Sequence, residues 1–281
     1  MLGEKLDYRL LKSLAHRRNF ATEAELDANA VATSPQAFDA QMPKMEKLLR
    51  RFGSHLPIDA HKSYLDMGCG TGELTLALAG MGAGRITGVD FLPRSIETAR
   101  AHTTRIGADN AQFVCADLHE WVPPEKYDVL LSFDAFEHID EPRVFLRRMK
   151  QLAAPDGRAV ISFGPLFHSP LGDHMWGFFR VQLPWRGVLF SEDAILRVRR
   201  EYFRPTDPAR RLSDIAGGLN RMRYSEFIGH VSATGWEFDY LAVNTFLREG
   251  SLPRRASDTL AGVPGVRDFV PHNVYAVLRP A

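Results

Sequence analysis

The stretch Leu65-Asp66-Met67-Gly68-Cys69-Gly70-Thr71-Gly72-Glu73-Leu74 decides how the rest of the chain is read. An apolar run from Ser63 to Met67 feeds three alternate glycines. A helical pattern through Leu74, Leu76, Ala77, Leu78 and Ala79 begins at once. That order is strand, tight turn, helix. Glycine is required in such a turn because a side chain would clash where the backbone bends sharply against a bound group. A dinucleotide-binding turn places its glycines at the first, third and sixth positions of the motif. Here the third glycine, Gly72, falls at the fifth position and Glu73 holds the sixth. An acid at the start of a helix also opposes a phosphate, since both compete for the positive end of the helix dipole. The turn therefore fits a ligand with an amine and no phosphates.

Downstream, the strand–helix rhythm continues to Phe163. Arg85 to Asp90 reads as the second strand, and Pro93 opens a helix through Ile96, Ala99 and Ile106 to Gly107. Ala111 to Asp117 reads as the third strand, Tyr127 to Phe133 as the fourth and Arg158 to Phe163 as the fifth. A helix with Phe145, Met149 and Leu152 inward joins the last two, and Pro155-Asp156-Gly157 is its stop signal. This alternation implies a doubly wound, mostly parallel α/β sheet. After Phe163 the rhythm breaks. Residues 164–220 are punctuated by Pro165, Pro170, Pro184, Pro205 and Pro208 and carry Phe167, Trp176, Phe178, Phe179, Trp185 and Phe190, which reads as an inserted aromatic cap. Within it the run around Arg197, Arg199 and Arg200, flanked by Glu192, Asp193, Glu201 and Asp207, reads as a solvated helix face. Residues 221–281 complete the sheet, with a helix from Ser225 to Thr234 closed by Gly235 and strands at Trp236–Thr245 and Asn273–Leu278.

Upstream, residues 1–60 read as helical. Leu2, Leu6, Leu10, Leu11 and Leu14 recur at helical spacing. A second helix after Ser34-Pro35 aligns Phe38, Met42, Met45, Leu48, Leu49 and Phe52 before Gly53 stops it. Such stripes serve core packing or a homodimer contact; the sharper reading is a lid over the core at residues 61–163.

Composition narrows the class. Hydrophobic residues at 45% and charged residues at 25% suit a globular protein, and Lys+Arg 35 against Asp+Glu 34 gives no global field for nucleic acid or an anionic membrane. No apolar run is long enough to span a membrane, and Glu4 and Asp7 oppose a signal or transit peptide, so a cytoplasmic protein is expected. Cys69 and Cys115 lack metal-type spacing and read as small, reduced packing residues.

The D-x-G-x-G-x-G turn ahead of a helix, Asp90, Asp117 and Ala135-Phe136-Glu137-His138 together resemble class I S-adenosyl-L-methionine (SAM) methyltransferases, in the branch acting on small molecules. The resemblance implies a seven-stranded sheet, SAM as cofactor and S-adenosylhomocysteine (SAH) as product. It implies that Asp66, Gly68, Gly70 and Gly72, with Cys69 in the same loop, surround the methionine end. It also implies that Ser132 offers its backbone carbonyl to the methionine amine. Asp90, at the end of the second strand, suits the ribose hydroxyls, the alternative being a helix-capping aspartate. Phe91 is positioned to pack on adenine, Asp117 to reach its amino group and Leu118 to offer an amide.

A sulfonium is already activated, so methyl transfer needs in-line positioning and, for a hydroxyl acceptor, removal of a proton. Ligands in open α/β sheets sit beyond the carboxyl ends of the strands. That singles out Asp134 and His138 after the fourth strand, and His168, Asp173 and His174 after the fifth. His174 and His138 are the candidate bases, with structural and solvent-facing histidines as the competing readings. Phe167, Trp176 and Trp185 are expected to line the acceptor pocket. No carboxylate cluster accompanies the histidines, so no metal is expected. Asn/Asp-Pro-Pro-aromatic is absent after the fourth strand, where Phe133-Asp134-Ala135-Phe136 stands, which disfavours nucleic-acid and protein-amide substrates. The leading reading is methylation of a small molecule, at a hydroxyl oxygen of a sugar or natural product. N- or C-methylation and a SAM-binding regulator without turnover remain open.

Overall fold

The computed structural model describes residues 4–15, 34–173, 175, 179–202, 209–214, 219–245, 247, 255 and 259–281. Tyr64, Leu65, Asp66 and Met67 are all buried, so the first strand, β1 (Ser63–Met67), lies inside the sheet with elements on both faces. Parallel pairing joins β1 to β2 (Arg85–Asp90) and to β4 (Tyr127–Phe133). It also joins β2 to β3 (Ala111–Cys115) and β4 to β5 (Ala153–Phe163). The last strand, β7 (Val274–Pro280), runs antiparallel between β5 and β6 (Trp236–Val243). The result is the mostly parallel seven-stranded sheet expected from the strand–helix alternation, in the order β3-β2-β1-β4-β5-β7-β6.

Local chemistry sets the flanking helices. The helix α1 (Glu4–Leu14) comes first in the chain. In α2 (Pro35–Arg50) the Ser34 hydroxyl accepts from the Ala37 N–H at 3.1 Å, and Gly53 at φ 52° ends the helical path. α3 (Glu73–Gly80) follows the glycine turn, and α4 (Pro93–Ile106) ends on Gly107 at φ 69°. Leu49 of α2 and Phe52 just beyond it, with Leu74 and Leu78 of α3, pack on Tyr64, Ile86, Leu131 and Val277. On the other face α5 (Pro142–Leu152) brings Phe145, Leu146 and Met149 against Leu65, Val89 and Leu130. Phe227 and Val231 of the C-terminal helix Tyr224–Ala233 join them there.

Several boundaries depart from the sequence reading. β3 stops at Cys115, because Ala116 donates to the Asp90 carbonyl and Asp117 turns the chain by accepting from Glu120 and Trp121. Cys115 is exposed rather than packed. β5 starts at Ala153, not Arg158: Tyr127 faces Ala153 and Val129 faces Arg158, so Pro155-Asp156-Gly157 bulges out of a strand instead of stopping a helix. β6 ends at Val243, and β7 begins at Val274 and runs to Pro280. In α1, Leu11 is buried while Leu6 and Leu10 are exposed, so the leucine stripe is not one buried face.

Residues 1–60 do not act as one unit. Leu11 and Ala15 pack with Phe179, Phe190, Ile195 and Val198, so α1 belongs with the inserted segment, whereas α2 lies on the sheet. That segment contains α6 (Arg186–Leu189) and α7 (Glu192–Tyr202). Its basic run is not a purely solvated face. Arg197 pairs with Glu201 and Arg200 donates to the Ala209 carbonyl, but Arg199 is 2% exposed. Among the described residues no helix is long and apolar enough to cross a membrane.

Candidate functional site

The glycine turn is built by positive φ angles: 83° at Gly68, 53° at Gly70 and 91° at Gly72. The N–H groups of Gly68 and Cys69 both donate to the Val89 carbonyl, at 2.9 and 3.1 Å, which ties the turn to β2. The three glycines differ in purpose. A Cβ on Gly72 would stand 2.7 Å from the Phe113 ring, and one on Gly68 would stand 3.2 Å from the Ala135 Cβ. A Cβ on Gly70 would meet nothing within 4 Å, so Gly70 alone faces open space.

The Asp90 carboxylate closes this turn. One oxygen accepts from Gly70 N–H at 3.0 Å and the other from Leu92 N–H at 2.9 Å. Each oxygen keeps a free lone pair, and the group is 9% exposed. Asp66 sits deeper, 1% exposed, accepting the Thr75 hydroxyl at 2.7 Å; burial pushes its carboxyl up to about 7. Burial also raises the Cys69 thiol far above its usual range, which makes it inert at neutral pH. Glu73, at the helix start, accepts from the Thr71 hydroxyl instead of pointing at a ligand. Phe91 is 70% exposed beside Asp90. Asp117 is exposed and caps its own turn by accepting from His119 N–H, and Leu118 gives its carbonyl to Arg148 at 2.9 Å.

At the end of β4, Ser132 is fully buried and its hydroxyl has no partner among the described residues. Asp134 adopts φ 50°, donates its N–H to the Ser162 carbonyl at 2.8 Å and is exposed. His138 follows in the short 3-10 turn Phe136–His138, half-buried and in electrostatic contact with Asp134. Between them stands a residue that the sequence reading did not single out. Glu137 is 5% exposed, one carboxyl oxygen accepts from Gly164 N–H at 3.1 Å, and the other has no partner among the described residues. Burial pushes Glu137 up to about 8, so it is mostly protonated at neutral pH. Asn220, also unforeseen, holds this turn. Its N–H donates to the Glu137 carbonyl at 2.9 Å, and its amide donates to the carbonyls of Phe136 and Ile139 at 2.8 and 3.0 Å.

Beyond β5 the expectations divide. His174 and Trp176 lie outside the described residues. Asp173 forms a buried bidentate pair with Arg186 at 2.6 and 2.8 Å, and Arg186 lies over the Phe179 ring at 4.0 Å. His168 rests against the edges of Phe167 and Phe269, and burial lowers its pKa. Phe167 is buried in the core of the insertion, and the Trp185 indole donates to the Phe269 carbonyl at 2.8 Å. Among the described residues no three His, Cys, Asp or Glu side chains gather as a metal would need. Two hollows lie elsewhere. One of about 720 Å³ lies beside α1 and α7, lined by Arg9, Lys12 and Tyr202, and one of about 210 Å³ lies at the opposite end of the sheet, beside His55 and Arg158. Backbone geometry, not hollow volume, marks the candidate site.

Residues 58–165 match the model of a family described as a methyltransferase domain. The ubiquinone biosynthesis O-methyltransferase of Neisseria meningitidis serogroup A is 34% identical over 113 residues, spanning 37% of this chain and 47% of that protein. The chain thus spans about half the length of this curated relative. Among solved structures, the geranyl diphosphate C-methyltransferase of Streptomyces coelicolor A3(2) superposes with a TM-score of 0.54 at 12% identity, over 85% of this chain and 76% of that one. The cyclase SpnF gives 0.53 at 15% identity, over 84% and 80%. At these identities the structural likeness is one of fold.

Proposed function

We infer, from the premise that this chain carries a class I SAM-dependent methyltransferase domain, that it transfers a methyl group to a hydroxyl oxygen of a small molecule. The observation that carries the reading is the pairing of Gly70 with Asp90. A left-handed glycine with open space at its Cβ position is braced by a carboxylate that keeps free lone pairs, which suits a ligand offering paired ribose hydroxyls. Asp66, buried behind the turn, supports it through Thr75, and Gly68 and Cys69 would lie along the methionine end. Ser132 would offer its carbonyl to the amine, and Phe91 its exposed ring to adenine, with Asp117 and Leu118 at the adenine edge. When bound, SAM supplies an activated methyl group on a sulfonium.

This chain's own residues orient the acceptor and move its proton. His138 would take that proton, as the imidazole that follows β4 in electrostatic contact with Asp134. His174 shares the candidacy on its position after β5. Oxygen is favoured as the acceptor atom by the curated relative's description as an O-methyltransferase. A fold shared with a cyclase leaves the reaction to be tested. Calorimetry with SAH on the wild type and on Asp90→Ala provides the test. The wild type should bind, and the variant should lose about 1–3 kcal/mol, the scale of charge-assisted hydrogen bonds to two hydroxyls. Equal affinity of the two proteins would remove the ribose assignment.

A further inference from the structure

A polar cluster that plays no part in the glycine turn stands at the carboxyl end of the sheet, on the face covered by α2. Strand register sets Phe133, Ser162, Tyr275 and Ala242 in one row across β4, β5, β7 and β6. Just past this row, Asn244 and Asn273 bond to each other, with Asn273 N–H donating to the Asn244 side-chain oxygen at 2.9 Å. Both side-chain amides point at the Tyr275 hydroxyl, at 3.2 Å from Asn244 and 3.4 Å from Asn273. The Arg51 guanidinium lies over the Tyr275 ring, 3.9 Å from its centroid. Arg51 is exposed, and its guanidinium makes no ion pair or hydrogen bond among the described residues.

We propose that Arg51, Asn244 and Asn273, gathered around Tyr275, recognise a carboxylate carried by the methyl acceptor, an assignment that rests on the methyltransferase reading above. Three observations place the cluster on the acceptor side. β7 is three strands from β1, roughly 14 Å at the usual strand spacing, so the cluster lies beyond a ligand seated on Gly70. Ser162, the pairing partner of Tyr275, gives its carbonyl to Asp134 N–H, which leaves only β5 between the cluster and the turn carrying His138. Gly164 fits closely between the two: its N–H goes to Glu137, and a Cβ there would stand 2.3 Å from the Asn273 side-chain oxygen.

The donor set selects the ligand class. A guanidinium offers a planar fork of N–H donors that matches a carboxylate in two-point contact, and stacking on an aromatic ring holds its plane without using those donors. The two amides and the phenol add neutral donors beside it. A wholly neutral acceptor would leave the fork to water.

The experiment titrates benzoate, benzamide and phenyl phosphate into the full chain, with and without saturating SAH, by ligand-observed NMR and calorimetry at millimolar concentration. Benzoate should bind and benzamide should bind more weakly. Arg51→Gln should weaken benzoate by about tenfold or more, as expected for loss of one charge-assisted pair, and leave benzamide and SAH unchanged. Asn244→Asp should weaken benzoate further by setting a like charge beside it. Equal benzoate binding in wild type and Arg51→Gln would overturn the proposal, leaving Arg51 a cation resting on an aromatic ring. Preference for phenyl phosphate would overturn the carboxylate assignment. Loss of SAH affinity in Arg51→Gln would also overturn it, by giving the guanidinium to the cofactor. Failure of the wild type to bind SAH would refute the methyltransferase reading instead, while the titrations without SAH still report on the cluster.

Discussion

Glu137→Gln isolates the least expected group in the candidate site. The wild-type carboxyl is 5% exposed and is pushed by burial from 4.5 to about 8. A carboxyl raised on folding favours the protonated form in the native state. Its contribution to stability is therefore complete below the unfolded value and is lost as pH rises through the folded one. At 1.36 kcal/mol per unit, the full span is at most about 5 kcal/mol, of which about 4 kcal/mol falls between pH 5 and pH 8. Glutamine keeps an oxygen for the Gly164 N–H and carries no titrating proton. Urea denaturation followed by tryptophan fluorescence, on both proteins at pH 5 and pH 8, measures the difference. The variant should gain on the wild type by up to about 4 kcal/mol between the two pH values. Asp66, also raised by burial, titrates in both proteins and cancels. A stability difference that stays flat with pH would refute the burial argument and leave Glu137 ionised and solvated.

Other outcomes follow from the same geometry. Gly70→Val should abolish SAH binding in calorimetry while circular dichroism shows the fold retained, because the side chain enters open space at a cost of about 1–2 kcal/mol for its positive φ. Asp173→Ala should destabilise by about 3–5 kcal/mol in denaturant titrations, since it strands a fully buried guanidinium; the double variant Asp173→Leu/Arg186→Met should recover much of that loss. His138→Ala should keep SAH affinity and lose about 10²–10⁴-fold in turnover once an acceptor is found, and its pH–rate profile should lose the acidic limb.

Strands bounded by strong local signals were legible: the glycine turn ends β1, Asp90 ends β2, and Tyr127–Phe133 is an apolar run between polar neighbours. Local chemistry misled where pairing overrode it. Pro155-Asp156-Gly157 has every mark of a turn, yet β4 draws Ala153 into the ladder ahead of it. Hidden charges were not legible at all. Arg199 read as part of a solvated face, and the burial of Glu137 and Arg186 left no mark in the sequence, because the groups that tolerate it are supplied by the fold, 27 residues away for Glu137 and 13 for Arg186. Asn220 and Arg51 belong to the same category. One grips a turn more than 80 residues upstream, and the other rests on a ring at the far end of the chain. The place of Asp90 was legible because ending a strand and lying beside a glycine turn are both local features.

The insertion leaves the sheet at Gly164 and returns at Asn220, and both points are clipped to Glu137: the departing N–H to its carboxyl, the returning N–H to its carbonyl. The insertion is thus a loop hung from a single residue, its two ends held almost together. Closing such a loop costs an entropy that grows only logarithmically with its length, about 0.6 kcal/mol for each doubling. Lengthening, shortening or exchanging the segment need not disturb the sheet, provided the glutamate and the two backbone N–H groups stay in place. A lineage carrying this clip could renew the insertion repeatedly and keep the Glu137 turn itself unaltered.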